Sequence, residues 1–174
     1  MTNKGYVHIY TGDGKGKTTC AIGLAIRATG AGKSVYFARL FKSESSEDAI
    51  LKKVGIKLVK YDVLHPFFKK YSEKENEQKA KECITFVRNV FDDAEKGNYD
   101  MLIIDEMGPA LNCGFVKEND LADLIKSKPE NIELVMTGRG FTPNILDLCD
   151  YGTEMKKLKH VYDQGVMARD GIEK

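Results

Sequence analysis

The run Thr11-Gly12-Asp13-Gly14-Lys15-Gly16-Lys17-Thr18-Thr19 carries the most specific chemistry in the chain. Its glycines allow successive backbone N–H groups to turn toward one anion, and a helix starting at its end would add a favourable dipole. Lys17 supplies a point charge to a phosphate, and Thr18 a hydroxyl able to ligate Mg²⁺. This is the pattern of a phosphate-binding P-loop with one departure. Where the usual pattern opens with glycine the chain has Thr11, and its early glycines are Gly12 and Gly14. Every residue from Thr11 to Thr19 is a candidate for nucleotide contact, and Lys17 and Thr18 are candidates for catalysis.

A second cluster is Met101-Leu102-Ile103-Ile104-Asp105-Glu106, an apolar run followed by paired carboxylates, as in a Walker B strand. A carboxylate leaving a buried strand beside the loop would hold Mg²⁺ directly or through water, and Mn²⁺ would accept the same hard oxygens. The strand expected to carry it is a neighbour of the one that carries the loop. Thr18, Asp105 and Glu106 are thus the metal candidates, with Glu106 also a candidate catalytic carboxylate. Spacing alone leaves open which acid touches the metal. Thr137-Gly138-Arg139-Gly140 sets a permanent positive charge between glycines. Arg139 either reaches a polyphosphate, which its planar fork suits, or is a solvated charge in a surface turn.

Such residues need a rigid frame, and the hydrophobic pattern supplies one. Short β-branched and aromatic runs at Tyr6 to Tyr10, Ser34 to Leu40, Ile56 to Tyr61, Met101 to Asp105 and Ile132 to Met136 alternate with helical periods. That alternation predicts βαβ units and a parallel sheet covered on both faces. A weaker sixth strand is expected near Thr153 to Leu158. Helices are expected at about Lys17 to Thr29, Glu75 to Lys96 and Asn119 to Lys126, with another following Thr142-Pro143 through Cys149. The fold class is therefore α/β, a three-layer P-loop NTPase-like (RecA-like) architecture with a mostly parallel sheet of five or six strands. One domain over residues 1–174 is the length prior, and the C-terminal tail from about residue 160 is either a cover over the site or a solvated, charge-balanced terminus.

Composition narrows the function class. The chain has 27 Lys plus Arg against 26 Asp plus Glu, a formal charge of +1, which excludes a nucleic-acid binder driven by bulk charge. Cys20, Cys83, Cys113 and Cys149 show no paired spacing, so neither a zinc site nor a disulfide framework is expected, and they read as small buried apolar residues. No apolar run reaches membrane-spanning length, and a cytoplasmic location is the expectation.

The loop from Thr11 to Thr19, Ile104-Asp105-Glu106, Thr137-Gly138-Arg139-Gly140, and the closing Asp150-Tyr151, Lys159-His160, Tyr162-Asp163-Gln164-Gly165-Val166 and Ala168-Arg169-Asp170-Gly171-Ile172-Glu173 occur in one order along the chain. Together they resemble the P-loop corrinoid adenosyltransferases, the ATP:cob(I)alamin adenosyltransferases. The tail motif is far more specific than the loop, which unrelated NTPases share. The resemblance implies attack by Co(I) of a reduced corrinoid on the 5′ carbon of ATP, with tripolyphosphate as the leaving group. It further implies an electron-donating reductase, for which a flavoprotein is a candidate, and it admits a homodimer. Neither nucleic acid nor membrane is implied. In this family aromatics on a loop after the third strand shield the lower face of the corrinoid. Here that stretch is His65-Pro66-Phe67-Phe68-Lys69, so Phe67 is the first candidate and Phe68 the second; Trp is absent from the chain.

Two other activities fit the loop and the paired acids: ATP hydrolysis, with Asp105 on the metal and Glu106 polarising water, and non-catalytic binding of nucleotide or corrinoid by a regulator. A small-molecule kinase fits less well, because Arg27, Arg39, Arg88, Arg139 and Arg169 are dispersed and form no clustered lid.

Overall fold

In a computed structural model, residues 4–41, 44–64, 69 and 71–173 are described. The chain runs β1 (Val7–Thr11), α1 (Lys17–Gly30), β2 (Val35–Leu40), α2 (Asp48–Lys53), β3 (Lys57–Tyr61), α3 (Glu73–Lys96), β4 (Met101–Asp105), α4 (Met107–Asn112), α5 (Glu118–Ser127), β5 (Glu133–Thr137), α6 (Pro143–Leu146) and β6 (Tyr151–Glu154). A 3₁₀ turn follows at Val161–Gln164. The strands form one sheet in the order β3-β2-β4-β5-β1-β6, and every pairing is parallel. This is the α/β, P-loop NTPase-like class expected from the sequence.

Alternation along each strand divides the core in two, because successive side chains in a strand point to opposite faces. On one face Tyr36, Ala38, Leu102, Ile104, Leu134 and Met136 pack against Cys83, Val87, Val90 and Phe91 of α3 and Leu121 of α5. On the other, Phe37, Ile103 and Val135 meet Ala21, Ala25 and Ala28 of α1 and Leu51 of α2. The small alanines bring α1 close to the sheet, so the helix lies across β1, β5 and β4. Helix α3 starts at a capping box in which the Ser72 hydroxyl accepts from Glu75 N–H while the Glu75 carboxylate accepts from Ser72 N–H. Such a box satisfies two of the N–H groups that a helix start otherwise leaves without partners.

The structure corrects three expectations. First, β4 does not neighbour β1, because β5 lies between them. Second, the sixth strand begins at Tyr151 and ends at Glu154, earlier than expected, and all its residues are exposed. Backbone pairing from His8↔Tyr151 to Thr11↔Glu154 fixes this edge strand, and it leaves no buried apolar face for a sequence pattern to reveal. Third, only Cys83 is a buried apolar cysteine; Cys20 and Cys113 are exposed, Cys149 is half-buried, and all four are free thiols.

Candidate active site

The parallel strands deliver their C-terminal ends to one edge of the sheet, where open α/β folds place ligand contacts. Strand β1 feeds the loop, and the loop opens α1 at Lys17. Gly12 turns with φ +96°, and a Cβ there would stand 2.6 Å from the Met155 carbonyl oxygen. The loop is thus backed by the segment leaving β6, to which the Gly14 N–H donates at 2.6 Å (Met155 O). Lys17 curls over the loop and donates from Nζ to the carbonyls of Gly12 (2.7 Å) and Gly14 (2.8 Å). Burial lowers the Lys17 pKa, and the nearby positive charge of Arg139 lowers it further.

Asp105 ends β4 with no solvent exposure. Its Oδ1 accepts from the hydroxyls of Thr18 (2.8 Å) and Thr137 (2.7 Å), so the loop and the ends of β4 and β5 meet on one carboxylate oxygen. The intervening β5 therefore does not part Asp105 from Thr18, because α1 crosses β5 and brings its first turn over β4. Thr137 also accepts from the Glu106 N–H at 3.1 Å. Glu106 stands before α4 with φ 66°, a left-handed conformation that costs a residue with a Cβ about 1 kcal/mol. The turn carries the chain from β4 into α4 and leaves the Glu106 side chain on the wall of the cleft.

Arg139 projects from a turn pressed onto α4. A Cβ on Gly138, whose φ is +134°, would lie 2.4 Å from Pro109 Cδ, so the approach admits only glycine. The Arg139 guanidinium donates to the Asp13 carbonyl at 3.0 Å and pairs with the Asp13 carboxylate, Nε to Oδ1, at 3.2 Å.

These groups line a cleft of about 600 Å³. Its floor is the loop from Asp13 to Thr19, one wall holds Ser45, Ser46 and Glu47, and another holds Glu106 and Arg139. The C-terminal segment closes the far side through His160, Val161, Tyr162, Val166, Ile172 and Glu173. Glu173 ties the segment down, accepting from Lys15 Nζ at 3.0 Å and from Arg169 Nη2 at 2.8 Å.

Of the candidates drawn from sequence, Asp13, Gly14, Lys15, Gly16, Lys17, Thr18, Thr19, Glu106 and Arg139 line this cleft. Asp105 sits just behind it on Thr18, whereas Thr11 and Gly12 face Met155 and Glu154 and are not among its lining residues. Phe67 and Phe68 lie outside the described residues. Sequence reading missed Thr137, which stood inside a motif already singled out, and Arg39, whose signal was a lone charge in the otherwise apolar strand Val35–Leu40. The chain matches the family described as ATP:corrinoid adenosyltransferase BtuR/CobO/CobP over residues 3–173. The chain belongs to this family. It is similar to the corrinoid adenosyltransferase of Escherichia coli K12, at 30% identity over 98% of this chain and 86% of that protein. It is also similar to corrinoid adenosyltransferase CobA of Salmonella typhimurium LT2, at 29% identity over 98% of this chain and 86% of the relative. The corresponding protein of Pseudomonas aeruginosa PAO1 is 28% identical over 98% of this chain and 84% of its own length. Membership in this transferase family fits a cleft in which a P-loop faces the C-terminal segment. Among the described residues, no helix is long and apolar enough to cross a membrane.

Proposed function

We propose that this cleft transfers the 5′-deoxyadenosyl group of ATP to Co(I) of cobalamin or a related corrinoid and releases tripolyphosphate. The cobalt lone pair forms the Co–C bond, the C5′–O bond breaks, and its electron pair leaves on the triphosphate oxygen. No protein nucleophile is required, so the work of the chain is to align the ribose carbon and to stabilise the charge that grows on the leaving group. Lys17 and the loop N–H groups other than that of Gly14, which is spent on Met155, suit that charge. Lys17 now spends its ammonium hydrogens on the Gly12 and Gly14 carbonyls and can turn them to phosphate oxygens. Arg139 would do the same from beside the loop, leaving Asp13.

The hard-oxygen pair Thr18 Oγ1 and Asp105 Oδ1, 2.8 Å apart, fits a divalent cation beside a polyphosphate. Thr18 and Asp105 would hold Mg²⁺, with Mn²⁺ an alternative, and Glu106 would be the further carboxylate at the cleft. When bound, the ion neutralises charge on the leaving triphosphate. The C-terminal segment, with Val161, Tyr162 and Ile172 turned to the cleft, would cover the corrinoid side and exclude water. Phe67 and Phe68 are assigned to the lower face of the corrinoid on the sequence resemblance. An electron-donating reductase, flavoprotein or otherwise, would supply Co(I); a homodimer in the cytoplasm is the setting in which we place the enzyme.

The observation that carries this reading is the meeting of the loop and the family's C-terminal motif across one cleft, since ATP hydrolysis needs only the first of them. The test is an anaerobic incubation of purified protein with Mg·ATP and chemically reduced cobalamin, followed through the cobalt spectrum. A light-sensitive alkylcobalamin spectrum that requires both ATP and protein is expected. A Co(I) spectrum that persists while ATP is consumed would replace the reading with ATP hydrolysis.

A further inference from the structure

Among the described residues Arg39 is the largest fully buried side chain, and it lies beside the cleft without lining it. Register explains its place. Arg39 is the cross-strand partner of Asp105 on β4 and of Lys60 on β3, so Lys60, Arg39 and Asp105 form one row across three parallel strands. Helix α2 begins directly over this row. Arg39 Nη2 pairs with Glu47 Oε1 at 2.6 Å, Nη1 with Asp48 Oδ1 at 2.5 Å, and Lys60 Nζ pairs with the other Asp48 oxygen. The remaining nitrogen, Nε, faces Asp105 Oδ2 at 3.4 Å; neither atom makes a hydrogen bond.

The guanidinium is planar and rigid, so fixing its two terminal nitrogens fixes the direction of the third. Glu47 and Asp48 thereby orient Nε toward one oxygen of Asp105, while Thr18 and Thr137 hold the other. The buried carboxylate is thus held by two hydrogen bonds on Oδ1 and faces the guanidinium charge on Oδ2. Glu47 belongs to the cleft wall, so the same arginine joins that wall to Asp105.

We propose that Arg39 is a positioning residue for Asp105, fixing the plane of its carboxylate so that Thr18 and Asp105 present a preformed seat for the cation of the bound nucleotide. The proposal rests on the metal reading given above and extends it to a residue that touches neither nucleotide nor corrinoid. Charge and orientation make opposite demands here, which gives the test its sign. Removing a positive charge beside Asp105 would by electrostatics alone strengthen its hold on a cation, whereas loss of orientation weakens it.

The experiment measures ATP binding by calorimetry without corrinoid, so that no adenosyl transfer occurs, once in EDTA and once across a Mg²⁺ titration. For Arg39→Gln the half-saturating Mg²⁺ concentration is expected to rise about tenfold, the scale seen when a partner that orients a metal ligand is lost, with ATP affinity in EDTA little changed. If Arg39→Gln does not fold, Arg39→Lys, which keeps the charge but loses the planar fork, decides the matter with a rise of the same sign, and Asp48→Asn, which loosens the same guanidinium, should shift the requirement upward by about threefold. Because Arg39→Gln and Asp48→Asn act through one guanidinium, the double variant should be no worse than Arg39→Gln alone. A Mg²⁺ requirement that falls or stays constant, or equal losses of affinity in EDTA and Mg²⁺, would overturn the proposal. If the unaltered protein binds ATP equally with and without Mg²⁺, the metal reading fails and this inference fails with it.

Discussion

Two arginines flank the cleft, one built into the fold and the other at its surface. Arg39 has no exposure and sits among Glu47, Asp48 and Asp105, whereas the Arg139 side chain is 62% exposed and pairs with an Asp13 that is 78% exposed. Moving a buried guanidinium strands the carboxylates around it, at a cost of several kcal/mol. An exposed pair is typically worth less than about 1 kcal/mol and can trade partners freely. The cleft therefore has a fixed side, where β2, β4 and α2 hold the carboxylate proposed for the cation, and an exchangeable side. On that second side Lys17 and Arg139 rest on the loop's own carbonyls, and the C-terminal segment rests on Lys15. A transferase that must admit two substrates and expel a highly charged leaving group needs both kinds of wall.

The contrast can be broken first at Lys17. Lys17→Ala removes the charge proposed to face the leaving group and should lower kcat/KM for adenosyl transfer by about 10²- to 10³-fold, measured with pre-reduced corrinoid. A loss confined to KM would mean that Lys17 binds ATP without favouring the transition state. On the fixed side, Asp105→Ala leaves Arg39 without one of its buried counter-charges and should destabilise the protein by about 3 kcal/mol in urea denaturation. Asp13→Ala on the exchangeable side should leave the midpoint unchanged, and equal effects from the two substitutions would erase the distinction. Arg139→Ala should raise KM for ATP about tenfold, the worth of one hydrogen bond to a charged group, with no fall in Tm.

The smallest effect is expected at the C-terminal segment. The Arg169 side chain, with help from its backbone N–H and from Lys15, holds the Glu173 carboxyl well below the usual carboxylate range. A depressed folded pKa means that the contact is complete above the ordinary carboxylate value of 4.5 and is lost only as the pH falls through the lower folded value. Tail amide protection in hydrogen exchange, corrected for intrinsic rates, should therefore be flat from about pH 8 to about pH 5. Glu173→Gln should lower it throughout by a few-fold, and a loss of protection between about pH 6 and about pH 5 in the unaltered protein would show that another group holds the segment.

How much of this was legible beforehand follows from which forces are local. The loop, α1, α3 and the apolar part of β4 were readable because their periodicity, glycines and caps act within a few residues. Helix α4 was not, since it is six residues long, contains Gly108 and Pro109, and depends on the left-handed Glu106 that precedes it. Helix α2, also six residues, buries only Leu51 and is held largely by ion pairs to β2 and β3. The charged row of Lys60, Arg39 and Asp105 exists only once three strands are set in register, and no spacing along the chain encodes it. The same holds for β5 coming between β1 and β4, which makes Thr137 the bridge from Asp105 to Glu106.

The central claim is that the exchangeable side of the cleft releases an intact triphosphate. Phosphorus NMR of the anaerobic reaction with Co(I) cobalamin tests it most directly. The account predicts tripolyphosphate appearing in equal amount with adenosylcobalamin and no ADP. ADP and inorganic phosphate formed at the same rate with or without corrinoid would contradict it.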